Sequence, residues 1–156
     1  MKKPDLIPVF IITSRKSFGF RLKEYLETEL PISSTVIAEV YLQPRECLQH
    51  LILDEVNYII VDGDPLLVEE LQLMFDQPRN LVYDHEIIYT HTLHDPQMDA
   101  PVNTIMLEHR DDHEPIGRLI KKLCRKQRQE GKYMHANYIM AGVLMLLAVI
   151  VAVLIL

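Results

Sequence analysis

Four of the seven histidines, His91, His94, His109 and His113, fall in one stretch that also carries Asp95, Asp111 and Asp112. His91-x-x-His94 followed by Asp95 offers nitrogen and oxygen donors of the kind that hold Zn²⁺ or a similar ion. These four histidines are therefore candidate metal ligands, although their spacing matches no specific zinc signature. A second candidate is Asp62-Gly63-Asp64-Pro65, where two carboxylates close together could supply ligands to a cation. A third is Ser14-Arg15-Lys16-Ser17 ahead of a helical pattern, a place where an anion could rest on the helix N-terminus. Cys47 sits on an apolar helical face and reads as core. Cys124 lies among basic residues that could lower its pKa and favour lipidation, but it reads as an ordinary helix position. Two cysteines make no disulfide framework and suit a reducing compartment. No G-x-G-x-x-G and no G-x-x-x-x-G-K-[ST] is present, so nucleotide binding has no fingerprint.

The charge is segregated. The whole chain of 156 residues has a formal net charge of −6, but residues 1–117 hold nine bases and 21 acids. Residues 118–132 hold seven bases, Arg118, Lys121, Lys122, Arg125, Lys126, Arg128 and Lys132, against Glu130 alone. From Tyr133 to Leu156 there is no Asp, Glu, Lys or Arg. A body this acidic repels phosphate backbones, which argues against a nucleic-acid partner.

Tyr138 to Leu156 reads YIMAGVLMLLAVIVAVLIL, 19 residues without charge or proline. As a helix it spans roughly 28 Å, near the thickness of a bilayer's hydrocarbon core. A small domain cannot cover every face of such a helix, so a transmembrane helix over 136–156 is expected. The start, MKKPDLIPVF, is too short in its apolar run for a signal peptide. The seven bases form a collar that keeps the body on the cytoplasmic side, which gives a single-pass, tail-anchored topology. The collar can also attract anionic lipid headgroups, so membrane lipids are expected partners. Ala141, Ala148 and Ala152 share one side of the span, a spacing that permits close helix packing and self-association into a homo-oligomer.

The body alternates strand-like and helix-like segments. Short apolar runs predict strands at Ile7–Thr13, Thr35–Tyr41, Asn57–Val61, Glu86–Thr90 and Asn103–Leu107. Helical spacing predicts helices over Ser14–Leu30 (capped at Ser17, stopped by Pro31), over Pro44–Glu55 and over Leu66–Phe75. A last helix opens at Pro115 and runs into the collar, with Gly131 as the expected break. His91–Val102 holds Pro96 and Pro101, so the fourth crossover is expected to be a loop or a single turn. This is an α/β pattern: a parallel five-stranded (βα)5 sheet, flavodoxin-like, with helices on both faces. The body covers 1–117, and its last helix continues through the collar at 113–132. Any chemistry belongs beyond the carboxyl ends of the strands.

The (βα)5 order, Asp62 after the third strand, Thr90 or Thr92 after the fourth, and the segment lengths resemble the receiver domain of two-component response regulators over about residues 5–130. The resemblance implies that Asp62 is the phosphoacceptor position and Thr90 the hydroxyl position. It also implies signal transduction at the bacterial inner membrane. The family pattern has an acidic pair after the first strand to hold Mg²⁺ and a lysine after the fifth. Here Thr13-Ser14-Arg15-Lys16 and Leu107-Glu108-His109-Arg110 stand in those places. Phosphoryl transfer to a carboxylate needs cations to neutralise the developing charge. A cation at Arg15 or Lys16 would instead pair with Asp62 and lock it.

The sequence therefore points to a degenerate receiver: a membrane-tethered, non-catalytic interaction module with no required cofactor. By resemblance, the stripe Ile116, Leu119, Ile120 and Leu123 on the last helix is its interaction or core face. A phosphorylatable receiver signalling through Asp62 is the first alternative. A metal- or anion-binding enzyme at the same sheet edge is the second.

Overall fold

The computed structural model describes residues 6–30, 35–92, 104–108 and 111–155, with the side chains of 131, 135 and 148–155 outside that description. Five parallel strands, β1 (Leu6–Ile12), β2 (Thr35–Tyr41), β3 (Asn57–Asp62), β4 (His85–Thr90) and β5 (Thr104–Leu107), lie in the order β2-β1-β3-β4-β5. That is the strand order of flavodoxin-like α/β folds, and its direction of winding reverses between β1 and β3. The helices are α1 (Lys16–Glu24), which widens into a π-type turn over Tyr25–Glu29, α2 (Pro44–Leu48), α3 (Pro65–Phe75) and α4 (His113–Ile155). A 3-10 turn spans Pro78–Asn80.

The sheet is buried on both faces, which is why its strands read as continuous apolar runs. On one face Phe10, Ile12, Ile59, Val61, Ile87 and Tyr89 join Cys47, Val68, Leu71 and Phe75 in one cluster under α2 and α3. The alternate positions Val9, Ile11, Tyr58, Ile60 and Ile88 are equally buried and point the other way. There Phe18, Leu22, Leu26, Ile116 and Ile120 are buried in turn. Ile116 and Ile120 are fully buried, whereas Leu119 and Leu123 are half-buried. The stripe is therefore split: of the two readings, interaction face or core face, Ile116 and Ile120 take the core one.

Two helices differ from expectation. α2 stops at Leu48 rather than Glu55. The reason is the buried Asn57, whose Oδ1 accepts from the Ile52 amide (2.9 Å) and whose Nδ2 donates to the carbonyls of Ile52 (3.0 Å) and Asp84 (2.9 Å). With the backbone of Ile52 committed there, and Asp54 turned to φ 65°, residues 49–56 are turns and irregular chain. α1 begins at Lys16, so Ser17 lies inside the helix and does not cap it. Helical structure in α4 runs through Gly131 without the expected break. The fourth crossover, Pro31 and Asn103 lie outside the described residues.

The chain divides into two units, Met1–Lys121 and Lys122–Leu156. In the second, Lys122, Arg125, Lys126 and Lys132 are exposed, and so are Tyr138 through Leu147. Among the described residues no helix is long and apolar enough to cross a membrane. The end of the uncharged segment, from residue 148, lies beyond the described side chains.

The first turns of α4 approach the π-type turn closely at Gly117. A Cβ there would lie 2.6 Å from Tyr25 Cε1 and 3.0 Å from Leu30 Cδ1, whereas one at Gly142 would meet nothing within 4 Å. Gly117→Ala is expected to cost about 1–3 kcal/mol by overpacking, and Gly142→Ala close to nothing. Urea unfolding midpoints of the two variants check this; equal midpoints would show that the approach is loose.

Candidate functional site

Reversal of the sheet's winding opens a crevice beyond the carboxyl ends of β1 and β3, the usual place for a ligand in such sheets. Here the chain fills it with its own side chains. Asp62 is the last residue of β3, and its side chain is wholly buried. Arg15, three residues beyond β1, reaches it with both arms of its fork: Nε donates to Oδ2 at 2.8 Å and Nη2 to Oδ1 at 2.6 Å. Thr13 Oγ1 donates to the same Oδ2 at 2.6 Å. Both carboxylate oxygens are thus occupied, by the planar bidentate geometry that only arginine offers.

Local chemistry explains how the fork is held. The Thr13 hydroxyl also accepts the Arg15 amide at 2.9 Å, so one side chain bends the chain off β1 and steadies Asp62. The Arg15 guanidinium lies 4.3 Å over the Phe18 ring, one turn into α1, a cation–π contact. Its remaining Nη1 donates to Asp111, which precedes α4. Arg15 therefore links the ends of β1 and β3 to the approach of α4. Its guanidinium is held even further above its ordinary range, chiefly by the Asp62 hydrogen bonds and against the opposing effect of burial. It stays charged at any pH the fold survives.

The other expected site residues are used locally. Asp64 turns its carboxylate to the Leu66 amide (3.0 Å) and N-caps α3, with Pro65 in the first turn. Gly63, between the two acids, takes φ 69° and donates its amide to the Thr90 carbonyl at 2.9 Å, a backbone position that favours glycine. Thr90 is fully buried and donates to the Val61 carbonyl at 3.4 Å. A divalent ion needs free oxygen donors converging on one point. Asp62 is committed to Arg15 and Asp64 to a helix cap, so these residues do not fit one.

The histidines are not gathered among the described residues. His91 stacks on Tyr89, ring centroids 5.7 Å apart, beside β5, where its amide bonds the Leu107 carbonyl. His113, the first residue of α4, packs against Phe18 (5.1 Å) and Tyr25 (6.1 Å). His94 and His109 lie outside the described residues. Among the described residues, no three His, Cys, Asp or Glu side chains come together to hold a metal ion. Cys47 is buried, and burial, with a smaller push from Glu39, raises its thiol to about 12; it is an inert core residue.

Compared with known proteins, the chain matches no family model, no curated protein and no solved structure.

His113 Nε2 is buried without a partner, and desolvation, reinforced by Arg21, lowers the pKa of the ring below the usual histidine value. The unfolded chain then binds this proton more readily than the folded one. Stability from this residue is present above the ordinary histidine pKa of about 6.5 and is lost as pH falls toward the folded value. Replacing it, as in His113→Phe, is expected to flatten the fall in unfolding midpoint between neutral and mildly acidic pH. An unchanged pH profile would show that the ring is not desolvated.

Proposed function

We propose that this chain is a membrane-tethered, non-catalytic module with a receiver-like body, acting by protein interaction at the cytoplasmic face. The observation that carries the reading is the buried Asp62 carboxylate, with both oxygens held by Arg15 and one also by Thr13. A carboxylate that attacks phosphorus must present a free oxygen to solvent and share the developing charge with a metal and a movable cation. Asp62 presents none, and its charge is already balanced by a permanent internal cation. Arg15 ties the sheet edge at Asp62 to Asp111, just before α4.

Tethering rests on the charge pattern. A collar of seven bases precedes 19 residues without charge, an arrangement suited to a span with the body on the cytoplasmic side. Confinement to a surface raises the effective concentration of the body for other membrane partners.

Incubation of the full chain with a small acyl phosphate and Mg²⁺ is expected to leave its mass unchanged. A mass gain that Asp62→Ala abolishes would make it a phosphorylatable receiver instead. Vesicle flotation tests the tether separately. The full chain is expected to float with vesicles, and Leu147→Lys to weaken this, since a lysine at mid-span costs about 3 kcal/mol of insertion. Flotation unaffected by the lysine would remove the span.

A further inference from the structure

Residues 1–117 carry only nine bases among 21 acids, yet two of the nine line a single groove. It is a cleft of about 610 Å³ between the end of α2, the end of α3 and the 3-10 turn, and it is lined by no acid. Arg45 and Arg79 are its cations, Gln49 and Gln77 its amides, and Leu48 and Met74 its apolar part.

The groove has a structural cause. α2 ends after five residues, so the flank that a longer helix would cover stays open. The 3-10 turn is fastened against α3 by the buried Asn80, whose Nδ2 donates to the Met74 carbonyl at 2.7 Å. The Asn80 backbone amide also donates to the Gln77 carbonyl at 2.9 Å, which fixes the backbone that carries Arg79. Arg79 is exposed, and the ion pairs formed among the described residues do not include it. The Arg45 side chain is 79% exposed and, among the described residues, pairs only with Glu70, at 3.8 Å. An exposed pair at that distance contributes little and yields readily to a better partner.

We propose that this groove docks a short acidic segment of a partner protein, one that carries a leucine-like side chain between its carboxylates. This deepens the interaction reading above and rests on it. Two guanidiniums match two carboxylates bidentately. The side-chain amides of Gln49 and Gln77 can meet the donors and acceptors of an extended peptide. Leu48 and Met74 take the apolar side chain. Charge complementarity commits the occupant: two guanidiniums and no carboxylate line the groove, and acids of the body farther than a Debye length of about 8 Å are largely screened, so an acidic segment seated in the groove is governed by the two arginines at short range.

The test uses the full chain in detergent and a fluorescent peptide of about ten residues alternating Glu and Leu. The basic collar attracts any acidic peptide, so a variant with Lys121, Lys122, Arg125 and Lys126 changed to Gln is titrated alongside. That variant is expected to retain binding within about twofold, and the double change Arg45→Glu with Arg79→Glu to weaken it at least about tenfold. A peptide with Ser in place of Leu is expected to bind as weakly. Equal binding by the double variant would overturn the proposal. So would complete competition by inorganic phosphate, which would make the groove a simple anion site, or a concentration-dependent dimer lost in the double variant, which would make a second copy its occupant. If the peptide fails while the acyl phosphate and flotation results hold, the groove falls and the tethered module stands.

Discussion

The carboxyl edge of this sheet is organised around one charged pair. Asp62 ends the central strand β3 with its side chain fully buried, and a lone carboxylate in that position would be intolerable. Arg15 resolves it, since a guanidinium can bond both oxygens at once and still leave an arm for Asp111. The two partners are unequal: Asp62 is sealed off, whereas about a third of the Arg15 side chain is exposed. The arginine can find water if it is released, and the aspartate cannot. The pair therefore fixes the β1 exit, the turn after β3 and the segment before α4 in one arrangement.

The same pair decides what the crevice can do. In a parallel sheet the point where the winding reverses is normally left open for a ligand. Here the internal cation occupies the space and the lone pairs that a ligand or metal would use. The neighbouring polar groups are similarly engaged, Asp64 as a helix cap and Thr90 against the Val61 carbonyl. The crevice is filled by a structural joint. The cationic groove beside the short α2 lies elsewhere in the body.

Much of this was legible in the sequence. The five strands read correctly to within a residue because a strand buried on both faces is a continuous apolar run, and IPVFIIT or NYIIV admits few other readings. A cation at the first loop facing an acid after the third strand announces an ion pair with Asp62, while the choice of Arg15 over Lys16 is visible only in the structure. Other features depended on contacts distant in sequence. Nothing near Leu48 signals that α2 must stop; Asn57 stops it by capturing the Ile52 backbone. Thr13 looked like the polar end of a strand, and its hydroxyl gains its role only when β3 lies alongside. Asp64 carried its own signal, an acid immediately before a proline that opens a helix, but its nearness to Asp62 suggested a ligand. Sequence proximity groups His113 with the loop histidines and cannot show that its ring packs on Phe18 and Tyr25. Ile116 and Ile120 keep the spacing of a helical face, and spacing alone does not tell a face that meets a partner from one that meets the sheet.

A double-mutant cycle on unfolding free energy, with Arg15→Ala, Asp62→Ala and the pair, reaches the central claim most directly. Loss of the arginine alone should be the costliest change, about 3–5 kcal/mol, because it strands a buried charge. Loss of the aspartate alone should cost less, and the double variant should recover a coupling of about 2–3 kcal/mol. Single effects that simply add to within about 0.5 kcal/mol would mean that the two side chains do not depend on each other, and that the joint at the sheet edge is not what holds Asp62.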